Sequence, residues 1–205
     1  MLPYIAMGII AYFIGSISFG VILTRKLAGF DVRDKGSKGA GTTNVLRTAG
    51  KRLAIITLIC DALKGVVAIL IAMLVARIWV DADANLLRYI AGFFAILGHT
   101  FPIFFEFRGG KGVATAIGIL LMLNWQIGLT CLVFGIALII ITRMVSVGSM
   151  MAALLYPILT LIMGGVSWGA IGFSVLIAAL VIFNHRGNID RLRKGTENKI
   201  GQKVK

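Results

Sequence analysis

Six long apolar runs constrain this chain more than any other feature of its sequence. They cover residues 2–24, 53–78, 86–105, 112–141, 144–164 and 167–184. A helix of about 20 consecutive apolar residues spans the hydrocarbon core of a bilayer, so runs of this length predict transmembrane helices. Hydrophobic residues occupy 59% of the 205 positions, which is more than a soluble core of this size hides from water. The sequence therefore predicts an all-α integral membrane protein.

The first and fourth runs need separate interpretation. The first has no basic n-region and no small-residue cleavage site, so we expect it to remain as a span. The fourth is long for one helix, and the polar interruption at 124–126 predicts two antiparallel pieces, 112–123 and 126–141. The shorter piece reaches only about 18 Å, the length of a half-helix. We expect a single membrane domain, residues 1–205, with about seven transmembrane helices.

The distribution of basic residues predicts the orientation of these helices. With the N-terminus outside, 18 of the 21 lysines and arginines fall in cytoplasmic segments, Arg77 and Arg88 lie outside, and Lys64 lies within a span. Short cytoplasmic loops of membrane proteins carry an excess of basic residues, so the C-terminus is predicted to be cytoplasmic. The net charge of +13 then reflects topology, and no nucleic-acid partner is expected. The 18 residues are Arg25, Lys26, Arg33, Lys35, Lys38, Arg47, Lys51, Arg52, Arg108, Lys111, Arg143 and the seven basic residues from Arg186 to Lys205.

Four polar segments share the predicted cytoplasmic side. They are GSKGAGTTNVLR (36–47), RGGKG (108–112), TRMVSVGS (142–149) and NHRGNIDRLRKGTE (184–197). Each has glycine-freed backbone N–H groups and fixed positive charge, and three of the four also have hydroxyl or amide donors. These features bind anionic oxygens.

The RGGKG segment is the clearest candidate for a phosphate site. Gly109, Gly110 and Gly112 allow positive φ and a close backbone approach, Lys111 adds a charge, and a helix N-terminus follows. A plain glycine-rich turn beside a juxtamembrane lysine is the alternative. The segment is not a Walker A loop, because Phe105 stands at that motif's first glycine and Gly112 follows the lysine. Nucleotide hydrolysis is therefore not expected.

Both histidines and one charge pair lie inside or at the ends of apolar runs. His99 and His185 are functional candidates, because ionisable side chains at such depth are costly. The alternative is that both are interface histidines satisfied by backbone carbonyls. Asp61 and Lys64, three residues apart, face the same side of a helix, which predicts either a structural ion pair or a role in substrate handling.

One further motif match indicates a different protein family. Residues 184–190 fit the NHx4D pattern of the large glycerolipid acyltransferase family, in which His and Asp deprotonate the acceptor hydroxyl. That family carries the motif early in the chain and follows it with a glycine-arginine phosphate motif. Here it lies about 20 residues from the C-terminus with no such motif after it. We interpret the match as mostly coincidental.

The four segments in this order resemble the bacterial acyl-phosphate:glycerol-3-phosphate acyltransferase family, usually called the PlsY family. The resemblance rests on GSKGAGTTNVLR, GHTFPIFFEFRGGKGVATA (98–116), VSVGS and HRGNIDRL with the later Glu197, and it extends to DALKG (61–65). It implies seven spans and transfer of a fatty acyl group from acyl-phosphate to the 1-hydroxyl of glycerol 3-phosphate. The products would be lysophosphatidic acid, at the first step of phospholipid synthesis, and phosphate. No metal, coenzyme A or nucleotide would be needed.

The resemblance also implies a site at the cytoplasmic face of a bacterial cell membrane. Acyl-phosphate would approach from the inner leaflet, and the soluble enzyme that produces it is an expected partner. The candidate proton acceptors are His185, His99 and the substrate's own phosphate, while Arg191 and Glu197 are expected to be structural. Glycerol 3-phosphate is expected to contact Lys111, Arg47, Thr43, Asn44, Gly109, Gly110, Gly112 and Asn188, with Ser37 and Ser149 as supporting donors.

One departure from the family pattern concerns Lys38 and Gly39, which stand where a glycine and an asparagine are usual. No role is assigned to position 39, and we expect Lys38 to face water. Two further functions remain open on the residues: a transporter for a phosphorylated solute, which would use the same anion-binding groups, and a lipid head-group transferase or phosphatase. The second normally shows a metal-binding carboxylate cluster, and the eight acids of this chain form no cluster with a histidine.

Overall fold

The computed structural model of the chain describes residues 1–163 and 167–202, and all regular structure in those ranges is helical. Gly164, at the end of a predicted span, and Lys203 and Lys205, in the predicted basic tail, lie outside the described residues. The α-helices are α1 (Leu2–Gly15), α2 (Phe19–Ala28), α3 (Thr42–Thr48), α4 (Lys51–Ile78), α5 (Ala84–Thr100), α6 (Val113–Leu123), α7 (Trp125–Thr142), α8 (Val145–Ile162), α9 (Trp168–Asn184) and α10 (Arg186–Arg193). Short 3-10 turns occupy Val32–Asp34 and Ile103–Phe105.

The lengths and composition of these helices confirm an all-helical protein built from apolar spans. Five stretches in the described ranges are long and apolar enough to cross a membrane, and the pair α9 and α10, bent by 58°, makes a sixth if it is one span. Helix α6 is apolar but has only 11 residues, as expected for the half-helix. The five are Leu2–Ala28, Lys51–Ile78, Ala84–Phe105, Trp125–Thr142 and Val145–Ile162.

The first span is broken, which the sequence did not predict. Helix α1 ends at Gly15 and α2 begins at Phe19. The ammonium group of Lys64 donates hydrogen bonds of 2.8 Å to the carbonyl oxygens of Gly15 and Ile17. Carbonyls left over by a broken helix must find a donor inside a span, and this charged side chain supplies it.

The chain divides into two compact units, and the first comprises residues 1–123. Within it α1 packs on α5 and α4 packs on α6. Small residues bring these backbones close, as is common between membrane helices. A Cβ added at Gly15 would overlap the Ala95 carbonyl, and one at Gly118 would overlap the Ala62 carbonyl.

The second unit begins at Asn124. The predicted interruption of the fourth run is confirmed there, because the Asn124 side chain accepts hydrogen bonds from the backbone N–H groups of Gln126 and Ile127 and caps α7. Helices α7, α8 and α9 pack in sequence, and Gly135 and Gly148 bring α7 and α8 into close contact.

Candidate functional site

Two glycine-rich loops of the first unit are bonded to each other. The first loop, residues 29–41, follows α2, and the second, residues 101–112, follows α5. The backbone N–H of Ala40 donates to the carbonyl of Gly109 at 3.2 Å. Two segments that lie about 70 positions apart in the sequence therefore form one structure, which we call the two-loop platform.

Asn44 organises the first loop of this platform. Its buried side-chain amide donates to the carbonyl oxygens of Val32, Lys35 and Gly39 at 2.8, 3.0 and 2.9 Å. Its side-chain oxygen accepts from the Ser37 N–H at 2.9 Å. These bonds show that the Asn44 amide supports the loop, and its expected contact with substrate stays a prediction.

Arg33 is a buried residue that links the two loops of the platform, and this role was not predicted from the sequence. The guanidinium of Arg33 pairs with Asp31 at 2.8 Å and donates to the carbonyl of Phe105, in the second loop, at 2.7 Å. The hydrogen bond from Arg33 holds the pKa of Asp31 well below its usual range, and the same bond raises the pKa of Arg33. Arg33 looked like one of many cytoplasmic basic residues, and its only signal was the acid two positions before it.

Three glycines shape the second loop, and they do so in two different ways. The N–H of Gly109 donates to the Thr100 carbonyl at 3.2 Å, and that of Gly110 donates to the His99 carbonyl at 3.1 Å. A Cβ at Gly109 would overlap the His99 carbonyl, and one at Gly110 would overlap Nε2 of the His99 ring. Of the three, only Gly112 has a positive φ, at 83°, so Gly109 and Gly110 are needed for the close approach instead. Helix α6 begins immediately afterwards, at Val113.

The other predicted residues of the first unit lie on or beside the platform. Thr43 and Arg47 are four residues apart on α3 and half-buried, so they share one face of that helix. Lys111 is half-buried within the second loop. Ser37 is exposed, and Lys38 faces water as expected.

Asp61, Lys64 and His99 form a buried chain of ionisable groups. Lys64 Nζ lies 3.1 Å from Asp61 Oδ1, so the predicted ion pair is confirmed. His99 Nδ1 lies 3.6 Å from the same oxygen. Each of the three residues is at least nine-tenths buried. The contact with His99, 38 positions away, was not predicted.

The second unit holds its own polar cluster around Glu197. The carboxylate accepts from Asn188 Nδ2 at 2.6 Å, from Ser146 Oγ at 2.8 Å and from Arg191 Nε at 2.9 Å. Burial would raise the pKa of Glu197, but the hydrogen bonds from Ser146 and Asn188 and the charge of Arg191 hold it below its ordinary value. The expected structural pair of Arg191 and Glu197 is confirmed. Ser146 was missed, because no local pattern links it to a residue 51 positions later.

His185 and Ser149 are the remaining predicted residues of this unit. His185 is buried at the junction of α9 and α10, and its Nδ1 lies 2.8 Å from the Val181 carbonyl, as one alternative foresaw. Ser149 is buried on α8. Asp190 is exposed and pairs with Lys194 at 3.0 Å, so the dyad that the NHx4D pattern requires is not formed.

The predicted site residues therefore fall into two groups, one in each unit. The first unit holds the two-loop platform with Arg47, Lys111 and His99, and the second holds His185, Asn188 and Ser149. Among residues 1–163 and 167–202, no three His, Cys, Asp or Glu side chains are grouped as ligands for a metal ion.

Comparisons with known proteins agree on one family. A family model described as glycerol-3-phosphate acyltransferase matches residues 5–195. A protein named glycerol-3-phosphate acyltransferase from Clostridioides difficile (strain 630) is 44% identical over 200 residues, which cover 98% of this chain and 97% of the relative. Another of the same name from Roseobacter denitrificans is 42% identical over 203 residues, covering 98% of this chain and 97% of the relative.

Two solved structures share the fold. Both are crystal structures of PlsY, an integral membrane glycerol 3-phosphate acyltransferase, one in a glycerol 3-phosphate form and one in a lysophosphatidic acid form. The first has a TM-score of 0.87 and 34% identity, and the alignment covers 97% of this chain and 96% of the other. The second has a TM-score of 0.85 and 34% identity, with 97% and 95% covered.

Proposed function

This chain belongs to the glycerol-3-phosphate acyltransferase family, and from that premise we propose that it acylates the 1-hydroxyl of glycerol 3-phosphate with acyl-phosphate as the donor. The products are lysophosphatidic acid and inorganic phosphate. The observation that carries this proposal is the two-loop platform. In it a backbone hydrogen bond between Ala40 and Gly109 joins the two glycine-rich loops of the first unit.

The platform supplies the groups that a phosphate monoester requires. Lys111 provides a fixed positive charge beside the N-terminus of α6, and Arg47 provides a planar fork of donors that matches phosphate oxygens. Thr43 shares the helix face of Arg47 and offers a hydroxyl donor. Ser37 is exposed at the edge of the first loop and acts as a supporting donor.

Three residues of the second unit remain candidates for contact with substrate, because the family resemblance implies them. Asn188 is fixed by its 2.6 Å hydrogen bond to Glu197, which orients the amide before any substrate arrives. Ser149 lies on α8 as a supporting hydroxyl. His185 is one of the candidate proton acceptors.

Acyl-phosphate is already activated, so the reaction needs no enzyme nucleophile. The 1-hydroxyl oxygen forms a bond to the acyl carbon, the bond from that carbon to the phosphate oxygen breaks, and phosphate leaves with the electron pair. The hydroxyl proton passes to His185, to His99 or to a phosphate oxygen of the substrate. Positioning of the two substrates and stabilisation of negative charge by Lys111 and Arg47 carry the rate.

The same proposal includes a membrane setting. In it the chain is a single catalytic domain with seven spans and its N-terminus outside, and the platform faces the cytoplasm of a bacterial cell. The acyl donor enters from the inner leaflet with its chain in lipid, and the soluble enzyme that makes acyl-phosphate supplies it. Cysteine labelling of single-cysteine variants on intact cells tests the orientation. A C-terminal cysteine that reacts with an impermeant reagent contradicts it.

Donor choice is the direct test of the activity. Purified protein receives glycerol 3-phosphate with either palmitoyl-phosphate or palmitoyl-CoA, without added metal, and both lysophosphatidic acid and phosphate are measured. Product from palmitoyl-phosphate alone is expected. Product from palmitoyl-CoA alone contradicts the proposed donor, and no product from either overturns the proposed reaction in favour of transport of a phosphorylated solute.

A further inference from the structure

The buried chain Lys64–Asp61–His99 connects the broken first span to the two-loop platform. Lys64 at one end donates to the Gly15 and Ile17 carbonyls. His99 at the other end is the residue whose carbonyl accepts from Gly110. Asp61, 1% exposed, lies between them. A pair that served only to neutralise charge would need no histidine, and burying ionisable groups in a span is costly.

The geometry distinguishes the two nitrogens of His99. Nδ1 faces Asp61 Oδ1 at 3.6 Å, and because a carboxylate only accepts hydrogen bonds, this contact favours the tautomer with the ring proton on Nδ1. Nε2 faces the second loop, where it fills the space that a Cβ on Gly110 would occupy. In a neutral ring this nitrogen is an acceptor.

The separation of 3.6 Å is longer than a formed hydrogen bond. Asp61 Oδ1 and His99 Nδ1 are both buried without a hydrogen-bond partner, although the oxygen keeps its ion-pair contact with Lys64. A small decrease in the distance between these two atoms would let them form a hydrogen bond with each other, and both would then have a partner. Hydrogen bonds at active sites are often long before the substrate binds and shorten when it does.

We propose that Asp61 is a positioning residue, held in place by its ion pair with Lys64. It keeps His99 in the Nδ1–H tautomer, with Nε2 directed at the second loop. There Nε2 accepts a hydrogen bond from a hydroxyl of bound glycerol 3-phosphate. The substrate part rests on the proposed function, whereas the tautomer does not depend on it.

The tautomer is tested first, and without any assay of activity. The chain has only two histidines, so 15N-histidine labelling gives two imidazoles, and an H185Q sample assigns the remaining one to His99. We expect the His99 proton on Nδ1 in the wild type and a shift toward the Nε2–H form in Asp61→Asn. A wild-type ring protonated on Nε2, or a tautomer that Asp61→Asn leaves unchanged, overturns the proposal even if the acyltransferase activity is confirmed.

Kinetics then separate positioning from support of the fold. Asp61→Asn should raise the KM for glycerol 3-phosphate about tenfold, as expected for one hydrogen bond lost between His99 and the substrate, and leave the KM for acyl-phosphate unchanged. If the single variant does not fold, the double variant Asp61→Asn/Lys64→Gln removes both charges and keeps an amide donor for the Gly15 and Ile17 carbonyls. A role confined to folding predicts less active protein with both KM values normal, which overturns the proposal.

Thr57→Val is the matched control. Thr57 is fully buried on the same helix, about one turn before Asp61, and its hydroxyl bonds only within that helix, to the Leu53 carbonyl at 2.8 Å. We expect wild-type KM values and an unchanged His99 tautomer. A rise in the KM for glycerol 3-phosphate equal to that of Asp61→Asn would show a general effect of altering α4 and would refute positioning.

Discussion

Substitution of Gly109 by alanine tests the two-loop platform most sharply. The new Cβ would overlap the His99 carbonyl and lie 2.7 Å from both Pro102 Cδ and the Thr100 carbonyl. Two of these neighbours are backbone atoms that cannot rotate away, so the loop itself must move. That movement breaks the bonds from Gly109 to Thr100 and from Ala40 to Gly109. At about 1 kcal/mol for each bond plus residual overlap, the displacement costs about 2–3 kcal/mol.

This cost should appear in the binding of glycerol 3-phosphate. If the platform binds that substrate, 2–3 kcal/mol corresponds to a KM raised roughly 30- to 150-fold. Steady-state kinetics with each substrate varied in turn measure the change, and the KM for acyl-phosphate should remain near the wild-type value.

Gly39→Ala provides the control for this experiment. Position 39 lies in the first loop, has no atom within 4 Å of an added Cβ and does not use positive φ. Its KM values should stay within about twofold of the wild type, since surface changes away from special contacts have small effects. A folded Gly109→Ala protein with an unchanged KM for glycerol 3-phosphate, or an equal loss in Gly39→Ala, would refute the reasoning.

Three further predictions follow from the same structure. Asn44→Ala removes four hydrogen bonds within the first loop. It should therefore raise the KM for glycerol 3-phosphate at least tenfold and lower the melting temperature. A normal KM would contradict the role of Asn44 in the loop. Glu197 has a lowered pKa in the folded state, so its contribution to stability is complete above its ordinary pKa of about 4.3 and is lost as the pH falls through the lower folded value. Thermal unfolding scans should show that loss on acidification in the wild type and a smaller one in Glu197→Gln, and identical pH dependence would exclude Glu197 as its source. Asp190→Asn breaks only an exposed pair and should keep nearly full kcat, whereas a large loss would support the NHx4D dyad.

Sequence reasoning succeeded where the deciding contacts are local. The break at Asn124 follows from a polar residue that caps the next helix two and three positions later. The pair of Asp61 and Lys64 follows from their i, i+3 spacing. In both cases the residues that decide the structure lie within one helical turn.

Long-range contacts explain what the sequence could not predict. The break after Gly15 depends on Lys64, 49 positions away, and glycine and serine are otherwise tolerated inside spans. The buried role of Arg33 depends on the Phe105 carbonyl, 72 positions away. The loop-supporting role of Asn44 was missed because a motif gives the residue type but not the direction in which its amide points.

Binding of glycerol 3-phosphate in the absence of any acyl donor tests the central claim most directly. Isothermal titration calorimetry compares the wild type with Lys111→Met and Gly109→Ala, and glycerol serves as the ligand without a phosphate. If the two-loop platform binds the phosphate, glycerol 3-phosphate should saturate one site in the wild type and glycerol should not bind. Lys111→Met should weaken binding about tenfold or more, the value of one hydrogen bond to a charged group. Wild-type affinity in both variants would place the phosphate elsewhere and contradict the account.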